Sequence, residues 1–148
     1  MSDNLKVPTT VKILSKMIDT IENQGWVQNA YKLKQGVCLV GSTLVPEVIQ
    51  EFGSVAIGEA LSYLHDHLKK KNLAEAYSCI ESWNDQKHRT KEEVVAALKS
   101  AIEGYFLLSQ EVKDSYRGKV YSNHGINAMM TIVNVPDVIK IELSLEIA

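Results

Sequence analysis

From residue 9 to about residue 105 of this 148-residue chain, apolar residues recur mostly at the 3.6-residue spacing of an α-helix. This period is the sequence feature that most constrains the fold. The first example is the stripe formed by Leu14, Met17, Ile18 and Ile21. Pro8 stands where a helix begins, and Gly25 stands where a left-handed residue ends one. The sequence therefore predicts a first helix that begins at residue 9 or 10 and ends before Gly25.

Similar stripes predict the other helices. Residues 27–36 are polar and are predicted to be a loop or a short strand, and residues 38–44 a buried helical turn. Pro46 suits the first turn of a short helix over 45–52. Ser54 is predicted to cap a separate helix that ends near residue 71, and a further short helix follows over 73–83. The last helix is predicted to begin after Thr90 and to run to about residue 112.

The C-terminal region has a different period. Residues 139–147 alternate without error, which is typical of a strand with one buried face. Residues 129–135 are its predicted partner, and a short strand is predicted at 119–122. The aliphatic face of the C-terminal strand is formed by Ile139, Ile141, Leu143, Leu145 and Ile147.

Together these elements predict one domain over residues 1–148 of the α+β class. It is mainly α, with about five helices over residues 9–112. A small C-terminal antiparallel β-hairpin or sheet lies in an extension over 118–148.

Composition excludes several classes of protein. Apolar residues at 45% and charged residues at 23% are ordinary globular values, and a net charge of −2 lacks the basic stripe expected of a nucleic-acid-binding protein. No apolar run approaches the ~20 residues needed to span a bilayer. The N-terminus lacks the layout of a signal peptide, and two cysteines are expected to be reduced thiols, so we expect a cytoplasmic protein.

Residues 82–94 combine a helix start with a polar cluster. Thr90 and Glu93 have the spacing of a capping box. Trp83, Asn84 and Asp85 are not needed for that role. In one interpretation, Trp83 fills the core, and Asp85 binds backbone amides of the turn or pairs with the Arg89 side chain. In the other, these residues line a shallow binding pocket together with Trp26.

Cys38 is the natural candidate for a nucleophile, since it follows a glycine and precedes a predicted helical turn. Its neighbours are aliphatic, which favours a buried hydrophobic side chain. His65 and His67 are two residues apart and fall on different sides of a helix, so they cannot share a metal ion there. No nucleotide-binding or hydrolase fingerprint occurs, and we expect no metal, no cofactor and no catalytic residue.

Three short motifs stand out: Gly25-Trp26, Gly36-x-Cys38-x-x-Gly41, and Trp83-Asn84-Asp85 followed by Arg89-Thr90-x-x-x-Val94. Together they resemble the motifs of a family of small uncharacterised proteins from actinobacteria and bacteriophages. The resemblance covers about residues 10–104. It departs from the family at Ser42, where alanine is usual, and at His88, where glycine is common. The resemblance implies a helical fold and transfers no activity.

The sequence therefore favours a non-enzymatic protein-interaction or regulatory accessory module, related to phage proteins. Its partner is another protein or a second copy, because the predicted C-terminal strand has an open edge that could pair in a homodimer. Residues 119–122 are the alternative source of the missing strand, which would leave a monomer. The alternative function is a small-ligand-binding protein or a small enzyme that uses Trp83, Asp85, Arg89 and Cys38.

Overall fold

The computed structural model describes residues 6–71 and 79–121, and these residues form five α-helices and one two-stranded sheet. The helices are α1 (Thr9–Gln24), α2 (Pro46–Lys71), α3 (Ile80–Asn84), α4 (Lys91–Phe106) and α5 (Gln110–Asp114). The strands are β1 (Lys32–Leu33) and β2 (Gly36–Val37), and a 3₁₀ helix covers Gly41–Thr43. The prediction of a mainly helical fold with about five helices is confirmed.

The small sheet that is described lies between α1 and α2. Its strands pair antiparallel, with Lys32 opposite Val37 and Leu33 opposite Gly36. The β-strands predicted at 129–135 and 139–147 lie outside the described residues, as do Leu73, Ala76 and Tyr77 of the stripe predicted before α3.

The core forms where α1 packs against both α2 and α4, and α2 also packs against α4. The predicted stripe of α1 supplies Leu14, Met17 and Ile21, all fully buried, and Ile18 of the same stripe is partly buried against the core. Leu64 of α2 and Leu98 of α4 are fully buried as well. Because each helix is amphipathic, burying these faces together is what stabilises the three-helix arrangement.

The two helices that the sequence predicts over residues 45–71 meet at a kink within α2. Its backbone departs from helical geometry at Gly53, whose φ of 83° lies in the left-handed region. Glycine reaches this region without steric cost, so the chain bends there and resumes the helix. The predicted separation of residues 45–52 from the helix after Ser54 is therefore confirmed as a kink at Gly53.

The prediction that the last long helix runs to about residue 112 is wrong. α4 ends at Phe106, and a separate helix α5 begins at Gln110. Ser109 explains the interruption, because its hydroxyl accepts the N–H of Val112 and caps the new helix. Residues 119–121 form no strand, and residue 122 of that predicted strand lies outside the described part.

Within residues 6–71 and 79–121, no helix has the length and apolar character required to cross a membrane.

Candidate functional site

Three glycines of the motifs allow backbone segments to approach each other closely. A Cβ at Gly25 would collide with the carbonyl oxygen of Gln35, and a Cβ at Gly36 would collide with the backbone of Gly25. A Cβ at Gly41 would collide with the carbonyl of Tyr31. The segments after α1 and before the 3₁₀ helix therefore lie in backbone contact, which is why these positions need glycine.

Asn84 joins these segments to α3. Its side chain is fully buried, and its Oδ1 accepts the indole N–H of Trp26 at 2.7 Å and the backbone N–H of Leu39 at 3.1 Å. Its Nδ2 donates to the carbonyl of Val27 at 3.2 Å and to Oδ1 of Asp85 at 2.9 Å. An amide side chain has two acceptor sites and two donor hydrogens, so the hydrogen-bonding capacity of Asn84 is fully used. We name this arrangement the Asn84 corner.

The corner is extended by the neighbours of Asn84. The carboxylate of Asp85 accepts the backbone N–H of Asn29 at 2.9 Å. Gln28 donates its Nε2 hydrogens to the carbonyls of Asn84 at 3.0 Å and Gln86 at 2.7 Å. The polar residues after Trp83 therefore tie the chain at 26–29 to the end of α3.

Trp83 and Arg89 form a second contact beside the corner. The guanidinium carbon of Arg89 lies 3.8 Å from the centre of the Trp83 ring, and the Nε of Arg89 donates to the carbonyl of Trp83 at 3.0 Å. The Trp83 side chain is buried, and its indole N–H has no hydrogen-bond partner among residues 6–71 and 79–121. The stacking of a cation on an aromatic face fixes both side chains.

Thr90 and Glu93 form both hydrogen bonds of a capping box at the start of α4. The Thr90 hydroxyl accepts the N–H of Glu93 at 3.1 Å, and the Glu93 carboxylate accepts the N–H of Thr90 at 2.9 Å. This pair sets where α4 begins.

Cys38 is buried and its sulfur accepts the N–H of Gly41 at 3.3 Å. Burial raises the pKa of the Cys38 thiol to about 12. At neutral pH the side chain is therefore a thiol, which is a poor nucleophile compared with a thiolate. Among the residues that the structure describes, no group of three or more His, Cys, Asp or Glu side chains could hold a metal ion.

The histidines of α2 have separate contacts, as their spacing predicts. His67 is 3.0 Å from the hydroxyl of Ser100 on α4, measured from Nε2 to Oγ. The ring of His65 meets the ring of Tyr121 edge to face, with centroids 5.7 Å apart.

Glu81 centres a polar cluster that the sequence analysis missed. Its two carboxylate oxygens accept the hydroxyls of Tyr31 and Tyr121, each at 2.6 Å. Burial, followed by the charge of Glu81, raises the pKa of both tyrosines. No sequence spacing links residues 31, 81 and 121. The one local signal for this cluster is that Glu81 is an acidic residue in the first turn of α3.

The structure thus brings together Trp26, Asn84 and Asp85 in the Asn84 corner, with Trp83 and Arg89 beside it. The polar atoms of the corner bond to the chain itself, which makes it a structural joint between α1, the 3₁₀ helix and α3. The predicted oligomer strand, with Ile139, Ile141, Leu143, Leu145 and Ile147, lies outside the described residues.

Comparisons with known proteins identify the family. A family of unknown function, DUF6197, matches residues 6–104, which include α1 to α4 almost completely and all three motifs. No curated protein and no solved structure matches the chain. Because the match covers about two thirds of its length, this chain belongs to the DUF6197 family.

Proposed function

We propose that this chain is a non-enzymatic protein-interaction module that acts in the cytoplasm as a regulatory accessory protein of a phage or its host. The observation that carries the proposal is the exposure of three apolar side chains near the junction of α4 and α5, Phe106, Leu107 and Val112, which we call the patch. Their exposed fractions are 54%, 86% and 41%. Covering a side chain of this kind contributes ~1.5–3 kcal/mol, so a partner that buries the patch would gain affinity.

The chemistry of the motif residues supports a role without catalysis. The Asn84 side chain is saturated by hydrogen bonds within the chain, and Asp85 is engaged by the N–H of Asn29. Cys38 is a buried thiol whose pKa is raised to about 12. These groups hold the fold together, which leaves the exposed apolar side chains as the stronger candidates for binding.

A second copy of the chain is the partner that the sequence favours. In the strand that the sequence predicts over residues 139–147, five aliphatic residues fall on one face, and the edge of a two-stranded sheet invites pairing with another chain. A twofold dimer satisfies such an edge without any new component.

Light scattering coupled to gel filtration tests this proposal. We expect a mass of twice 16.5 kDa for the wild type. The double variant Phe106→Gln/Leu107→Gln should shift the mass toward the monomer. Val55→Gln is the matched control, because Val55 is 61% exposed on α2, outside the patch, and its replacement should leave the dimer intact.

Deletion of residues 138–148 distinguishes a dimer formed through the predicted C-terminal strand from one formed through the patch. If the dimer depends on the C-terminal strand, the deletion abolishes it while the helical circular-dichroism signal persists. If the dimer survives the deletion and is lost in the patch variant, the patch alone mediates it. A wild-type chain that is monomeric at every concentration argues against self-association.

The alternative is a small ligand that binds near Trp83, Asp85, Arg89 and Cys38. One observation favours it: the buried indole N–H of Trp83 finds no acceptor within the described ranges 6–71 and 79–121. A thermal-shift screen over nucleotides, metal ions and metabolites distinguishes the two functions. Saturable stabilisation that is lost in Trp83→Phe would favour the ligand.

A further inference from the structure

We draw no further inference here: the strongest candidate, the cleft of about 230 Å³ between the start of α1 and α5 that Thr9, Thr10, Lys113 and Arg117 help to line, carries nothing, because a helix N-terminus beside lysine and arginine side chains is not by itself a binding site and nothing in the part of the chain that the structure describes points to a ligand there.

Discussion

Removal of the Asn84 side chain is expected to destabilise the protein strongly, because the amide makes four hydrogen bonds within the chain. In Asn84→Ala the backbone N–H of Leu39 loses its acceptor in a fully buried position, which costs about 1–3 kcal/mol. The indole of Trp26 and the carbonyl of Val27 lose their partners too, but both residues are partly exposed. Each of these contributes a further ~0.5–1.5 kcal/mol. The expected loss is therefore about 2–6 kcal/mol.

The substitution Asn84→Asp separates shape from hydrogen bonding. It keeps the size of the side chain but replaces the donor Nδ2 with an oxygen 2.9 Å from the carboxylate of Asp85. At neutral pH two carboxylates then face each other next to the carbonyl of Val27, so we expect at least the loss seen with alanine. Acidification that protonates the new carboxyl group should recover part of the stability.

Urea denaturation measures these losses, provided that the slope of the free energy of unfolding against urea concentration stays unchanged. Gln86→Ala is the matched control on the same turn, because Gln86 is half-buried and makes a side-chain hydrogen bond to the carbonyl of Ser82. We expect that control to cost about 0.5–1.5 kcal/mol. An Asn84→Ala variant no less stable than the control would refute the reasoning that the corner depends on this amide.

The remaining predictions concern the cap, the thiol and one histidine. Thr90→Ala should cost ~1 kcal/mol in urea denaturation through loss of the N-cap, and Thr90→Ser should be nearly silent; equal damage would mean that the methyl group matters. Cys38 should react slowly with a thiol reagent in the native state, since its pKa is raised to about 12, and Cys38→Ala should preserve self-association; fast labelling without unfolding would contradict its burial. Burial, with the charges of Lys71 and Lys70, lowers the pKa of His67 below the usual 6.5. The stability that neutral His67 provides is therefore complete above about pH 6.5 and is lost as the pH falls below it, so His67→Gln should flatten the decline of the free energy of unfolding between neutral and mildly acid pH.

The helices could be predicted from sequence because their signals are local. The stripe of Leu14, Met17 and Ile21 and the capping pair Thr90–Glu93 each lie within a few turns of chain. The end of α4 was missed because the apolar period continues past Phe106, and only the cap formed by Ser109 interrupts it. Serine is common in helices and in loops, so its role as a cap was not evident from its type alone.

The site could be predicted only in part, because its connections are distant along the chain. The sequence singled out Trp83, Asn84, Asp85 and Arg89 together, and one alternative had Asp85 bind backbone amides of its own turn. The backbone N–H that the Asp85 carboxylate accepts is that of Asn29, 56 residues away. The sequence did not reveal that the Asn84 amide accepts from Leu39, 45 residues away, or that Glu81 accepts from Tyr31 and Tyr121. Such pairings follow from how the helices pack, and no local period encodes them.

This distribution of contacts bears on where function should be sought. The motif glycines permit close backbone contact, and the Asn84 side chain uses its hydrogen-bonding capacity within the chain. Folding alone therefore accounts for these residues, and their presence is no argument for a bound ligand. The apolar side chains at the junction of α4 and α5 differ from these motif residues in their exposure. Leu107 is 86% exposed, so folding does not account for its apolar side chain. Tyr121 lies beyond the family match, yet its hydroxyl donates to Glu81 within the matched region. The matched region therefore contains the Asn84 corner, and the exposed side chains on which the proposed binding function rests lie after residue 104.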